Sequence, residues 1–207
     1  MNLTPIKTPL LVKRMFPDFI WEMPSVSNTI YLTFDDGPTP DVTSWTLDIL
    51  KHYNATATFF CIGNNVKNYP DIYEAVISAG HVVGNHSYDH IKGWNTSLDD
   101  YIENVQKASH LINSKLFRPP YGRITSKQGS TLTELGYKVV MWDVLSFDWD
   151  ARITEKKCMN NVVSKAKPGS IIVFHDSLKA SKNMTFALPE VLEHFSKKGF
   201  EFKGISL

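Results

Sequence analysis

The sequence predicts an α/β fold in which about seven parallel strands, connected by helices, nearly complete a barrel. Two observations predict this fold. Short apolar runs alternate with amphipathic segments along the 207 residues, and several of the runs lack polar alternation, as strands buried on both faces do. No Pro/Gly/Ser-rich linker or internal repeat divides the chain, and its length suits a single domain.

The predicted strands are short, rich in β-branched or aromatic residues, and separated by turn residues. In chain order they lie at residues 29–34, 57–62, 81–85, 117–118, 138–142 and 170–175, with a weaker one at 200–205. Because each is followed by a helical pattern, the strands form βα units and a parallel sheet.

The predicted helices have recognisable ends. Thr39 and Pro40 are a cap and a first-turn proline, Gly80 is typical of the residue after a helix, and Thr96 with Asp99 resembles a capping box. The helices are expected at residues 42–52, 70–79, 98–112, 126–135, 154–166 and 189–198.

Composition and charge exclude several classes of protein. With 43% hydrophobic residues and a formal net charge of +1, the chain is not intrinsically disordered. The charge balance gives no sign of a nucleic-acid partner, and no apolar run reaches the ~18 residues that a membrane span requires. Cys61 and Cys158 lie in apolar surroundings, so we expect two reduced core thiols.

Two adjacent carboxylates follow the first strand, in the run Thr-Phe-Asp-Asp-Gly-Pro at residues 33–38. A strand that enters an Asp-Gly-Pro turn explains the run on conformational grounds alone. The carboxylates of Asp35 and Asp36 would repel each other, however, so a nearby cation would stabilise them. Considered alone, the run is compatible with an ordinary turn or with a cation site.

The third strand ends in His-Ser-Tyr-Asp-His at residues 86–90. His86 and His90 are four residues apart, so one helical turn would place both imidazoles on one face. A solvated turn also explains this pair when nothing else is considered. Together with a carboxylate from another strand end, the pair predicts a three-ligand metal site with an open position, as catalytic metals have.

Polar residues follow the remaining strands as well. Arg-Pro-Pro-Tyr-Gly occupies residues 118–122, Asp-Trp lies at 148–149 in an aromatic and acidic run, and an apolar run at 171–175 ends in His175. Each has an ordinary conformational explanation by itself. In parallel α/β folds, however, chemistry is found where the carboxyl ends of the strands meet the following loops. Five polar strand ends in one chain therefore indicate an enzyme.

These five segments resemble, in sequence and in order, the motifs of the NodB-type polysaccharide deacetylases, the carbohydrate esterases of family four. The resemblance implies an α/β fold that is a distorted, incomplete (β/α) barrel with about seven parallel strands. It also implies one divalent metal ion. The expected ion is zinc, for which cobalt or nickel can substitute. The implied reaction is hydrolysis of N-acetyl or O-acetyl groups on sugars.

The resemblance implies a role for each residue of the first three motifs. Asp36, His86 and His90 would be the metal ligands. Asp35 would be the general base, held by Arg118.

The last motifs and the end of the third would supply the acid and the pocket. His175 would be the general acid, oriented by Asp148, and the backbone N–H of Tyr121 would help bind the oxyanion. Trp149 would form part of the pocket wall. Val173 stands where the family usually has a leucine that lines the pocket for the acetyl methyl, and valine is smaller than leucine.

The resemblance also divides the chain. Residues 29–207 are expected to form the polysaccharide deacetylase domain, and residues 1–28 an N-terminal segment that packs on the barrel. The N-terminus has no apolar core followed by a cleavage site, which favours a cytoplasmic chain, or a secreted or periplasmic one if an upstream segment has been removed. We expect a monomer without a nucleic-acid partner.

The expected substrates are N-acetylglucosamine-containing glycans such as peptidoglycan or chitin oligosaccharides. Two alternatives stay open: an O-acetyl esterase acting on xylan-like sugars, and a catalytically silent carbohydrate-binding relative. The complete set of acidic and imidazole residues argues against the silent relative, because a binding module needs neither a metal nor a proton donor.

Overall fold

The computed structural model of the protein describes residues 4–24 and 27–207. Its strands are β1 (Thr29–Asp35), β2 (Thr58–Cys61), β3 (Val82–Asn85), β4 (Leu116–Phe117), β5 (Lys138–Val139), β6 (Val144–Leu145), β7 (Ile171–His175) and β8 (Glu201–Phe202). All neighbouring strands pair in parallel, in the order β5-β4-β3-β2-β1-β7-β6, with β8 beside the start of β1. The path of seven strands forms an open, strongly curled half-barrel, so the predicted distorted and incomplete (β/α) barrel is confirmed.

Helices connect successive strands, except that residues 140–143 join β5 directly to β6. The helices are α1 (Leu10–Met15), α2 (Val42–His52), α3 (Gly63–Asn68), α4 (Pro70–Ser78), α5 (Leu98–Ser109), α6 (Ser126–Glu134), α7 (Glu155–Val163) and α8 (Leu178–Ser196), with 3₁₀ turns at Gly93–Asn95 and Pro120–Gly122. In the part of the chain that the structure describes, no helix is both long enough and apolar enough to cross a bilayer.

The two faces of the central strand β1 have different partners. Ile30, Leu32 and Phe34 belong to a large apolar core that includes residues of α2, α7 and α8. Thr33 and Asp35 point to the opposite face, because successive side chains alternate along a strand. Both of these polar residues are buried, so the interior of the half-barrel carries polar groups near the end of its central strand.

The N-terminal segment covers the opening of the half-barrel. The N–H of Ile20 donates to Val139 O (2.8 Å) and Ile20 O accepts from the N–H of Met141 (2.7 Å), while the N–H of Leu145 donates to Ile6 O (2.8 Å). These bonds pair the free edges beyond β5 and β6, which would otherwise expose unpaired backbone groups. The boundary of this segment at residue 28 stays a prediction.

Two local predictions were wrong. The strand expected at 138–142 ends at Val139, because the chain then crosses the opening of the barrel and Asp143 N–H donates to Ile171 O on the other side. The helix expected to begin at Pro189 begins at Leu178 and continues through the proline. A proline inside a helix costs ~3 kcal/mol, which the continuous buried face of α8 offsets by packing on the core.

Candidate active site

The structure brings Asp36, His86 and His90 together at the carboxyl ends of β1 and β3. One ligand atom from each residue lies within 4.8 Å of the others. Asp36 Oδ1 is 3.2 Å from His90 Nε2 and 3.7 Å from His86 Nε2. Residues about 50 positions apart in sequence thus converge on one point, as the parallel sheet requires.

The loop that carries the two histidines is not a helical turn, contrary to the prediction. Ser87 and His90 have positive φ values of 62° and 55°, and the two imidazole rings lie 5.0 Å apart. The loop is held by amide side chains: Asn85 Oδ1 accepts from Ser87 N–H, and Asn104 Oδ1 on α5 accepts from the two following N–H groups. Asn104 lies outside the five sequence motifs, and its contact with this loop depends on how the fold packs α5. The sequence therefore did not predict this role.

The groups around Asp36, His86 and His90 favour the binding of a cation by this cluster. Burial lowers the pKa of His86 to about 4, so the ring is neutral near pH 7. Its Nδ1 is 2.8 Å from Arg118 O and donates to it, which leaves the Nε2 lone pair facing Asp36. Asp36 Oδ1 is buried and accepts no hydrogen bond from the described residues. Burial would raise the pKa of Asp36, but the neighbouring imidazoles of His90, His175 and His86 hold it below its usual value.

A fully buried arginine fixes Asp35. Arg118 Nη1 donates to Asp35 Oδ1 (2.7 Å) and Thr33 Oγ1 (2.6 Å), and its other N–H groups reach the carbonyls of Val140 and Met141. An isolated buried charge would be costly, but this guanidinium has a carboxylate partner and further acceptors. The carboxylate of Asp35 therefore has one defined orientation beside the three-residue cluster.

On the other side, His175 pairs with Asp148. The ring Nδ1 is 2.9 Å from Asp148 Oδ1, and the backbone N–H of His175 donates to Oδ2 at 2.7 Å. Asn183 on α8 donates to the carbonyl of Asp148 and holds that loop. Burial alone would lower the pKa of His175, but the charge and hydrogen bond of Asp148 raise it to about 9. This imidazole is therefore protonated near neutral pH.

A cavity of about 400 Å³ is lined both by the cluster of Asp36, His86 and His90 and by His175. Besides the acidic and imidazole residues, its wall includes Tyr121, Trp142, Leu145, Trp149 and Val173. Leu145, Trp149 and Val173 belong to one apolar cluster, and the ring of Trp149 lies edge-on to His175, with centroids 4.8 Å apart. An apolar wall beside converging polar groups is the usual character of a small-molecule site.

The buried carboxylate of Asp176 was not among the functional residues predicted from the sequence. Asp176 Oδ1 accepts from Gly37 N–H (3.0 Å) and its Oδ2 from the Thr43 hydroxyl (2.6 Å), so it holds the turn that follows Asp36. A Cβ atom at Gly37 would lie 2.0 Å from this carboxylate, so only glycine fits there. Burial raises the pKa of Asp176 to about 8. The feature of the sequence that could have identified Asp176 is its position directly after His175, at the end of β7.

Comparisons with known proteins agree with this geometry. A family profile described as polysaccharide deacetylase matches residues 23–140, more than half of the chain. A peptidoglycan-N-acetylglucosamine deacetylase of Bacillus cereus is 36% identical over 95% of this chain and 96% of its own length. A chitooligosaccharide deacetylase of Azorhizobium caulinodans is also 36% identical, over 72% of this chain and 74% of its own.

A solved structure extends the likeness to three dimensions. The crystal structure of a peptidoglycan N-acetylglucosamine deacetylase superposes with a TM-score of 0.88 at 31% identity, covering 96% of this chain and 95% of the other. The Bacillus cereus relative and the solved structure each cover at least 95% of this chain, and the profile covers residues 23–140. The chain therefore belongs to the NodB-type polysaccharide deacetylases, the carbohydrate esterases of family four.

Proposed function

We propose that the protein is a zinc-dependent deacetylase that removes N-acetyl groups from N-acetylglucosamine-containing glycans, such as peptidoglycan or chitin oligosaccharides. One observation carries the proposal: the cluster of Asp36, His86 and His90, which has the donor set for a cation, and His175, which is paired with Asp148, line one cavity. Relatives with the same architecture are deacetylases of such glycans.

Asp36, His86 and His90 are the residues that would hold the ion. Asp36 Oδ1 is buried and has no hydrogen-bond partner among the described residues, and His86 is neutral, so both fit a divalent cation. Two imidazoles with one carboxylate form a donor set typical of catalytic zinc. When bound, such an ion polarises the acetyl carbonyl and makes a nearby water more acidic.

Asp35 would act as the general base. Its carboxylate lines the cavity next to Asp36, and Arg118 both balances its charge and fixes its orientation. The attacking water loses a proton to this carboxylate as its oxygen adds to the acetyl carbon. The backbone N–H of Tyr121 would then stabilise the oxyanion, a contribution typically worth ~2.7–4 kcal/mol in other hydrolases.

His175 would act as the general acid. An amine is too basic to leave without a proton, so a donor is needed on the side of the cavity away from the base. Asp148 holds the Nδ1–H of His175, and Nε2–H is then the group free to protonate the departing nitrogen. The apolar wall of Leu145, Trp149 and Val173 would receive the acetyl methyl.

The test is acetate release from chito-oligosaccharides, peptidoglycan fragments and acetylated xylan, each with added zinc and with a chelator. We expect release from the N-acetylated glycans that stops with the chelator and returns with zinc. Faster release from acetylated xylan would make the protein an O-acetyl esterase, and release from none of the three would favour a silent carbohydrate-binding protein.

Asp35→Asn separates the base from the ion-binding cluster. Asparagine is nearly isosteric and keeps an oxygen, but it does not accept the proton of the water. The variant should therefore retain bound zinc and lose about 10²–10⁴-fold in turnover. Substantial remaining activity at neutral pH would show that another residue is the base.

A further inference from the structure

The turn after β4 carries the N–H group that the proposed mechanism assigns to the oxyanion. Tyr121 has φ 60° and ψ 7°, and Gly122 has φ 65°, so both residues are in the left-handed region. Among residues 4–24 and 27–207, the Tyr121 N–H has no backbone acceptor. Glycine adopts this conformation freely, but for tyrosine it costs about 1–3 kcal/mol and persists only where neighbouring groups enforce it.

The ring of Trp142 packs directly against this turn. The six-membered part of the indole lies so close to the α-carbon of Gly122 that an added Cβ atom would overlap it. Gly122 is therefore required for its positive φ and also for this contact. An indole is flat and rigid, and interiors are close-packed, so a shift of the turn would either collide with the ring or leave a gap beside it.

Trp142 is itself held firmly. It is half-buried and packs against three separate apolar clusters. Its carbonyl accepts from the Thr8 hydroxyl at 2.8 Å. Before it, the Met141 N–H donates to Ile20 O at 2.7 Å, and after it, the carbonyl of Asp143 accepts from the Thr8 N–H at 2.8 Å. The N-terminal segment thus bonds the backbone at Trp142 and on both sides of it.

The side chain of Asp143 ties the N-terminal segment to the same stretch of chain. This carboxylate is fully buried and accepts from Lys7 Nζ (2.9 Å), Lys13 Nζ (2.6 Å) and the Ser170 hydroxyl (2.6 Å). A buried carboxylate is costly unless it is paired and hydrogen-bonded, and here both conditions are met. Because Lys7 and Lys13 belong to the N-terminal segment, these ion pairs keep it beside Trp142.

We propose that Trp142 is a positioning residue, whose indole keeps the turn of Tyr121 and Gly122 in the conformation that presents the Tyr121 N–H to the oxyanion. The N-terminal segment acts on Trp142 through Thr8. The inference rests on the proposed function and deepens it by naming the support of its oxyanion donor. A donor that is fixed in advance stabilises the charge that develops in the transition state, so loss of its support should lower kcat rather than raise KM.

Trp142→Phe tests this role. Phenylalanine keeps an aromatic ring in the cavity wall but lacks the part of the indole that contacts Gly122. In the zinc-loaded enzyme, kcat on a chito-oligosaccharide should fall about tenfold, a part of the 10²–10³-fold that removal of an oxyanion donor costs, while KM changes by less than about twofold. Trp45→Phe is the matched control, because Trp45 is also half-buried but packs on the large core and does not line the cavity. It should match the wild type in both constants.

A tetrahedral analogue isolates the oxyanion from the rest of the ligand. A glycan that carries a methylphosphonamidate in place of the acetamide has a charged oxygen where the oxyanion forms. Its Kd should rise about tenfold in Trp142→Phe, whereas the Kd of the deacetylated glycan, which lacks that oxygen, should not change. Equal losses for the two ligands, or a raised KM with unchanged kcat, would make Trp142 a wall that contacts the sugar and overturn the inference.

Thr8 provides a second, milder variant. Thr8→Val removes the hydroxyl that bonds the Trp142 carbonyl and keeps the shape of the side chain, so kcat should fall about two- to fivefold. Thr8→Ser keeps the hydroxyl and should lose less. That order depends on the hydrogen bond, since serine is the smaller side chain. A larger loss in Thr8→Ser than in Thr8→Val would overturn the part assigned to the N-terminal segment.

The inference and the proposed function fail in different ways. Order parameters of backbone amides, from NMR relaxation of the full chain, need no substrate. For Tyr121 and Gly122 they should be about 0.85 in the wild type and in Trp45→Phe, and fall below about 0.6 in Trp142→Phe. Unchanged order parameters would overturn the positioning role whatever the activity. If the wild type releases no acetate from any glycan, the proposed function fails, and the order parameters still decide whether Trp142 holds the turn.

Discussion

His86 is buried and His175 is half-buried; both lie at the ends of strands and line the same cavity, yet their surroundings shift their pKa values in opposite directions. His86 Nδ1 faces the carbonyl oxygen of Arg118 at 2.8 Å, whereas His175 Nδ1 faces the carboxylate of Asp148 at 2.9 Å. Burial lowers the pKa of His86 to about 4. It would also lower that of His175, but the carboxylate outweighs burial and raises the pKa to about 9.

The difference shows that the acceptor at Nδ1 decides what each ring can do. Burial leaves His86 uncharged, and the bond from Nδ1–H to the carbonyl leaves a free lone pair at Nε2, which a metal ligand requires. A carboxylate keeps His175 charged with a proton at Nε2, which a general acid requires. Environments that separate two similar groups in pKa allow one site to hold both a metal ligand and a general acid, the roles proposed for His86 and His175.

Removal of the neutral ring should have the largest effect. His86→Ala deletes one of three predicted ligands, so zinc affinity should fall by more than about 100-fold, and deacetylase activity should fall with it. Zinc content after dialysis, measured by atomic emission, checks this. His110→Ala, an exposed histidine on the molecular surface, is the control. A His86→Ala protein that keeps stoichiometric zinc would remove the distinction between the two histidines.

His175→Ala should leave the zinc in place and impair only the proton transfer. Turnover on an N-acetyl sugar should fall about 10²–10⁴-fold, because the amine needs a proton to leave. Hydrolysis of 4-nitrophenyl acetate should fall clearly less, since nitrophenolate leaves without one. Parallel kinetics on the two substrates measure the ratio, and equal losses would make His175 a structural residue or a ligand.

Asp148→Asn should make the environment of His175 more like that of His86. Without the carboxylate, burial dominates and the pKa of His175 should fall from about 9 to below its ordinary value of about 6.5. In the wild type, the charged ring stabilises the fold below pH 6.5, and this contribution is lost as pH rises through about 9. In Asp148→Asn the ring would not be charged over this range, so the free energy of unfolding should not decrease in this way as pH rises. Histidine resonances in an NMR titration of the metal-free protein report the pKa directly, and an unchanged value would exclude Asp148 as its cause.

Of these four residues, Asp176 should have the smallest effect when it is substituted, and the effect should be mainly on the free energy of unfolding. Asp176→Ala leaves Gly37 N–H and the Thr43 hydroxyl buried without their acceptor, which should lower the free energy of unfolding by about 1–3 kcal/mol. Asp176→Asn keeps one acceptor oxygen and should cost less. Urea denaturation of the zinc-free proteins measures both. Zinc affinity should decrease modestly in Asp176→Ala, because the turn after Asp36 is less constrained.

Much of the architecture was readable from local patterns. The alternation of apolar runs with helix signals predicted the parallel half-barrel, and Asp36, His86 and His90 were placed at strand ends that the structure brings together. These predictions succeed because side-chain periodicity and turn chemistry act over a few neighbouring residues. Parallel strands then necessarily bring their carboxyl ends to one edge.

The family resemblance implied the pairs of Asp35 with Arg118 and of His175 with Asp148, but their distances and the other groups around the site come only from the tertiary structure. The bond from His86 to Arg118 spans 32 positions and that from His175 to Asp148 spans 27, so neither partner follows from periodicity. The same holds for the burial that lowers the pKa of His86 and for the carboxylate that raises the pKa of His175. The same is true of α8 continuing through Pro189, which depends on how much apolar surface the rest of the fold offers it. Burial, charge and hydrogen bonding act through space, and only the folded chain brings distant residues close enough for them to act.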